Sequence, residues 1–186
     1  MKAGWLTSVV LLLSACGGSP HHSVAEEKND SPGISHVTYE QPVDMRVAKA
    51  DSNFLWLTNG DAKRQRNLCI YSYTSRQLDA MELLQKRDSV MRHHVKGETD
   101  SIFLVTVAQS VSSALMHEGG CPKLKLTGLW QMENDAMGGP FVCYALVDSA
   151  RRRVVVADGF VYAPGRDKRM LMQRLETIVK TINIKK

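Results

Sequence analysis

The sequence predicts an α+β fold: a mainly antiparallel sheet with two amphipathic helices packed on one of its faces. Three observations predict it. One helix-length stretch, residues 76–95, interrupts a series of short strand-like runs. Three consecutive strand-like runs then follow with turn-sized breaks, the order of an antiparallel meander. The chain closes on a second helix, in which Leu171, Leu175, Ile178 and Ile182 recur at i, i+4, i+7 and i+11. Each helix has one apolar face, and both are expected to seek the same side of the sheet.

The elements follow in order. A short strand is expected near Val43 to Ala48. Phe54-Leu55-Trp56-Leu57 is an apolar run closed by Asn59-Gly60, a turn dipeptide. Leu68 to Tyr73 is β-rich. The first helix is expected over Arg76–Val95, capped by Thr74 or Ser75, with Ala80, Met81, Leu84, Met91 and Val95 in one wedge and Gly97 ending it. Ile102 to Ala108 alternates loosely as a strand does. Lys123-Leu124-Lys125-Leu126 alternates cleanly, which places one face in water and one in the core, and this strand runs through Trp130. Phe141 to Val147 and Arg153 to Tyr162 are two further strands joined near Asp148-Ser149. The second is almost wholly apolar, as a central strand is. Pro164-Gly165 breaks it, and the last helix spans about Asp167 to Ile182. No internal repeat has a fixed period.

The first 35 residues are of another kind. Lys2 precedes a short apolar run, and Leu13-Ser14-Ala15 leads into Cys16 and Gly17-Gly18-Ser19-Pro20. A charged start, a short apolar core and small residues before the break are the marks of a secretory signal. From Trp5 to Ala15 the run is far shorter than the roughly 20 residues a spanning helix needs. Leu-Ser-Ala-Cys also resembles a bacterial lipobox, and that resemblance implies an exported protein whose Cys16 is lipidated and becomes the mature first residue. The expected organisation is a signal over 1–15, a lipidated flexible tether over 16–35, rich in Gly, Ser, Pro, His and charge, and a single α+β domain over 36–186.

Composition fits such a domain. The 186 residues are 44 % apolar and 23 % charged, ordinary globular values. Net charge is +5, and loss of Lys2 with the signal leaves +4. Basic residues gather at Lys63–Arg66, Arg151–Arg153 and Arg166–Arg169, each beside a turn. Contact with anionic lipid headgroups is one reading of them. Solvated loop charge is the favoured one. No nucleic-acid motif accompanies them, so no nucleic-acid partner is expected. Apart from Cys16, the cysteines are Cys69, Cys121 and Cys143. One pair with a leftover thiol is possible in an oxidising compartment. Three buried, reduced thiols are preferred.

Chemistry-bearing motifs are few. His21-His22 and His93-His94 are adjacent pairs, and on a helix neighbours point about 100° apart rather than converging on one ion. No metal site and no cofactor is expected. His117-Glu118-Gly119-Gly120-Cys121 suggests a cysteine nucleophile beside a base, yet it matches no hydrolase signature. It reads better as a turn leading into a strand. No catalytic residue is assigned.

The loop from Gln131 to Pro140 stands apart. It carries Met132, Met137 and the Gly138-Gly139 pair, with Trp130 and Phe141 at its ends. One reading is a hairpin whose glycines complete the turn and whose Trp130 packs inward. The other is a contact surface, since Trp is enriched among binding hot spots and Met suits adaptable surfaces. On that second reading Trp130, Met132, Met137, Gly138, Gly139 and Phe141 are candidate partner-binding residues.

Gly128-Leu129-Trp130-Gln131-Met132 through Gly138-Gly139-Pro140-Phe141-Val142, with Lys86-Arg87-Asp88-Ser89-Val90 and Asp158-Gly159-Phe160-Val161-Tyr162-Ala163-Pro164, resembles an uncharacterised Bacteroidetes lipoprotein family, a domain of unknown function. Phe54 to Asn59, the Tyr71-Ser72-Tyr73 region and the helix from Lys168-Arg169 to Leu175-Glu176 fit it too. The resemblance covers about residues 54 to 180. Family members look longer, so this chain is expected to correspond to their C-terminal half plus a signal. The family implies no catalytic residues and supports an envelope lipoprotein. The expectation is therefore a non-enzymatic binding or scaffolding module in the cell envelope. It would be held through a lipid anchor, to the outer membrane, and meet an unknown envelope protein or glycan. The alternative is a periplasmic or surface enzyme, hydrolase-like, with a site no motif reveals.

Overall fold

The computed structural model describes residues 34–118 and 120–185. The expected signal, the expected lipidation site Cys16 and His21-His22 lie outside these residues. The described elements are β1 (Val37–Thr38), β2 (Arg46–Asp51), β3 (Phe54–Thr58), β4 (Gln65–Thr74), α1 (Ala80–His94), β5 (Leu104–Thr106), β6 (Ser112–Glu118), β7 (Cys121–Met132), β8 (Gly138–Asp148), β9 (Arg153–Tyr162), α2 (Arg169–Val179) and β10 (Asn183–Ile184). The α+β class and the antiparallel sheet are as expected. Eight strands form one sheet in the order β2-β3-β4-β9-β8-β7-β5, with β6 also on β7, and every pairing is antiparallel. The strands β7, β8 and β9 make the expected meander. A small second sheet joins β1 to β10.

One part of the expected architecture is corrected: the helices lie on opposite faces of the sheet. Leu175 and Val179 of α2 share a core with Leu55, Leu68, Ile70, Val142, Val155 and Ala157. Leu83 and Met91 of α1 share the other core with Phe54, Cys69, Tyr71, Phe141, Cys143 and Val156. The members of the two sets alternate along β3, β4, β8 and β9, so each strand feeds both. The physical reason was present in the sequence. Leu68–Tyr71 and Val154–Val161 are buried without interruption, and a strand apolar on both faces needs a layer on each.

The first helix is also shorter than expected. Asp79, not Thr74 or Ser75, caps it, its carboxylate accepting from the Glu82 N–H at 2.7 Å. Its buried residues are Leu83, Arg87 and Met91, spaced by four, while Met81 is exposed. A count of apolar residues alone misplaces this face because its centre is an arginine. Of the expected α2 stripe, Leu175 has no exposed surface and Leu171 and Ile178 pack against the same core, but the helix ends at Val179, short of the expected Ile182, which is buried beyond it.

Near the N-terminal edge, the expected strand over Val43–Ala48 starts later, at Arg46. Residues 42–45 form a turn instead, with the Met45 N–H donating to the Pro42 carbonyl at 3.2 Å. After α1 the chain makes only the short β5, then a tight turn over Ala108–Ser110, and then β6. Both β5 and β6 pair with β7, end to end along the same edge. At Gly165, φ is +66°, a left-handed conformation that suits glycine and turns the chain from β9 toward α2.

Candidate functional site

The hairpin of β7 and β8 is built from close backbone approaches. Trp130 lies opposite Gly139. A Cβ on Gly139 would collide with the Val161 carbonyl oxygen and stand 3.2 Å from the Trp130 Nε1. Only glycine lets β8 lie this near to β9 while the indole covers it. The indole meets the edge of Phe160 at 5.5 Å between centroids, and its buried N–H finds no acceptor among the described residues. The turn itself is tight. The Met132 N–H donates to the Met137 carbonyl at 2.8 Å, and the Glu133 N–H to the Phe103 carbonyl at 2.8 Å. Asn134 takes the left-handed conformation at φ 59°, which a short polar side chain tolerates.

Of the six candidate partner-binding residues, three therefore enter the core. Trp130, Met132 and Phe141 are buried. Met137, Gly138 and Gly139 remain partly accessible, and they line a cleft of about 510 Å³ with Leu129, Gln131, Asp135, Pro140 and Lys168 among others. The cleft lies between the hairpin and the start of α2. Its charged groups are Asp135 and Lys168, and Leu129 adds a half-exposed apolar side chain. A second depression, about 270 Å³, runs beside α2 and is lined by Met116, Lys125, Tyr144 and Glu176. There Glu176 pairs with Lys125 and accepts from the Tyr144 hydroxyl at 3.1 Å.

The groups that sequence reading considered for chemistry are placed as follows. Cys69 and Cys143 are buried and free, whereas Cys121 is free and exposed, which corrects the expectation of three buried thiols. Cys69 on β4 and Cys143 on β8 both stand opposite Asp158 on the intervening β9. Strands lie about 4.8 Å apart, so these cysteines are beyond the roughly 7 Å Cα separation a disulfide can close. Burial pushes both thiols well above their ordinary range, and the Asp158 charge adds to it. They are protonated at neutral pH and are poor nucleophiles. His117 and Cys121 flank the β6–β7 turn, with Glu118 opposite Cys121. Among the described residues no group of three or more His, Cys, Asp or Glu could hold a metal ion. His93 and His94 contact edge to face at 4.6 Å.

A buried polar centre escaped the sequence reading. Arg87 of α1 has no exposed surface. Its Nε donates to Asp158 Oδ2 at 2.6 Å, its Nη1 donates to the Thr106 hydroxyl at 2.6 Å, and its guanidinium lies 3.8 Å over the Phe141 ring. Asp88 closes the network by accepting from the Thr106 N–H at 3.0 Å. Burial raises the Asp158 carboxyl against the pull of Arg87, while the guanidinium keeps its proton. Arg87, Phe141 and Asp158 come from the three separate stretches that carry the family resemblance. The signal was therefore present, but nothing in one sequence joins positions so far apart.

The chain belongs to the family described as domain of unknown function DUF4837, whose family model matches residues 28–181. No curated protein matches it. Two solved structures are similar to it: a point mutant of the protein Mog1, and the Saccharomyces cerevisiae Ran-binding protein Mog1p. Each shares 11 % identity at a TM-score of 0.49, covering 80 % of this chain and 90 % of its own. No helix among the described residues is long and apolar enough to cross a membrane.

Proposed function

We propose that the chain is a cell-envelope lipoprotein, anchored through Cys16 to the outer membrane, whose folded part is a non-enzymatic binding or scaffolding module. The observation that carries the binding role is the cleft between the β7–β8 hairpin and α2. Its lining includes Leu129, Met137, Pro140 and the Gly138-Gly139 backbone, and Trp130, packed on Phe160, stands close over Gly139. A preformed concavity of mixed polar and apolar lining, with Asp135 and Lys168 as its charged groups, suits capture of a partner surface. The buried thiols and the Arg87–Asp158 pair are committed to the core, which weighs against the hydrolase reading. The partner is another envelope component, protein or glycan.

Two measurements test the parts separately. Labelling with a fatty-acid analogue should mark the wild type and not Cys16→Ser. Equal marking of both removes the anchor. Crosslinked envelopes should yield a captured partner that is lost in a Leu129→Ser, Met137→Ser double variant of unchanged thermal stability. Undiminished capture by that folded variant removes the cleft. Met132 is unsuited to this test, because its side chain is buried.

A further inference from the structure

One end of the sheet gathers features that the binding cleft does not use. The β3–β4 turn, the β9–α2 loop and the start of β2 all emerge there, since Gln65 pairs with Tyr162 and Arg46 with Thr58. Two large apolar side chains stand out from this end. Val43 is 104 % exposed and Met170 64 %. Val43 is not on a slack loop. It occupies a hydrogen-bonded turn whose flanking residues, Pro42 and Met45, are buried, and whose Asp44 pairs with the β4 residue Arg66. The fold holds a valine out in water.

The two protrusions belong together. Asp44, next to Val43, pairs with Arg66, two residues after Arg64 in the β3–β4 turn, and Arg66 first, with a minor part from Arg174, holds its carboxyl down; Met170 lies one helical turn before Arg174 on the same helix face. Met170 also lines a depression of about 350 Å³ with Leu171, Arg64 and Arg166. Asp167 beside it is taken up by Arg169 at 2.7 Å. The Arg46 guanidinium reaches over Gly60 at the same end. The result is a pair of exposed apolar tips set among arginines from four different segments.

We propose that this end of the domain lies on an anionic lipid surface, with Val43 and Met170 entering between headgroups and Arg46, Arg64, Arg166 and Arg174 on their phosphates. Apolar tips ringed by cations are the arrangement of an interfacial anchor. A soluble polyanion gives the valine nothing to bury against. The inference rests on the anchor reading, which brings the domain to a bilayer. Seventeen residues lie between Cys16 and Ile34, and a chain spans at most about 3.5 Å per residue, so the anchor allows this end to face the membrane.

The test uses residues 16–186 with Cys16→Ser, so that no acyl chain drives partition. Vesicles of phosphatidylcholine alone are compared with vesicles about one third phosphatidylglycerol. The chain should sediment with the anionic vesicles about tenfold more strongly, and salt should release it. Val43→Ser with Met170→Ser, and separately Arg64→Gln with Arg166→Gln, should each reduce partition about tenfold without shifting the melting temperature. No partition, equal partition onto both vesicles, or partition unchanged in both double variants overturns the proposal. Retention on heparin that ignores Val43→Ser with Met170→Ser, without vesicle binding, assigns the arginines to a soluble anion and also overturns it. The Cys16 labelling is scored apart. A labelled Cys16 with a vesicle-blind chain overturns the docking and keeps the anchor; an unlabelled Cys16 with a vesicle-binding chain does the reverse.

Discussion

Arg87 and Asp158 form an ion pair across the sheet–helix interface, 2.6 Å from Nε to Oδ2, with both side chains wholly buried. Removing one partner strands the other charge in the core. Arg87→Met should therefore cost about 3–5 kcal/mol, whereas Arg87→Met with Asp158→Leu should recover most of the loss. Urea denaturation of the two variants reads the difference. Equal losses would show that the apolar pair cannot fill the site.

Leu175 sits at the centre of the α2 stripe with no exposed surface. Leu175→Ala should cost about 2–5 kcal/mol. Met170→Ala, on the exposed side of the same helix, should stay within about 0.5 kcal/mol.

The Gly139 position tests the hairpin. A methyl group there meets the Val161 carbonyl, and the strands must part to admit it. Gly139→Ala should cost about 1–3 kcal/mol by overpacking and raise hydrogen exchange at Val161 and Tyr162. A neutral substitution would mean that β8 can move off β9 freely.

Thiol labelling followed by peptide mass spectrometry should find Cys121 modified in the native protein. Cys69 and Cys143 should react only on unfolding, since burial holds both thiols protonated. Fast native labelling of Cys143 would place it at a surface.

The ring of His94 stacks on Phe54 at 3.8 Å. Burial lowers its pKa, Lys49 and His93 add to that, and Asp51 opposes it. The unfolded chain thus takes up the proton first, near the ordinary value of about 6.5. Stability should fall as pH drops from about 7 to about 5, because the unfolded state binds more protons there. His94→Phe keeps the stack and should flatten that slope in denaturation curves taken across the interval.

How much of this was legible follows from where each signal lives. Strands with a regular inside–outside rhythm, such as Lys123–Leu126, declared themselves. So did the continuous apolar run of β9 and the Leu175 stripe. Ser112–Glu118 did not, because an edge strand with one partner and little burial has no pattern to impose on its residues. The first helix was found but turned the wrong way, since Arg87 occupies its buried face and only Asp158, on a distant strand, explains why. The candidate loop was correctly placed as a hairpin, yet its largest side chains belong to the core. The cleft beside it needs Lys168 and Val107, and no local rule brings them there.

The seam between β4 and β9 governs when the domain can form. Gln65 finds Tyr162 and Thr74 finds Arg153, so β4, although it pairs with β3, keeps one edge open until nearly the whole chain is available. Loops this long close slowly, and contacts of high sequence separation slow folding. A chain delivered N-terminus first through a narrow translocation channel would stay threadable until its last third had been made. Lateness of folding is then a property of the topology.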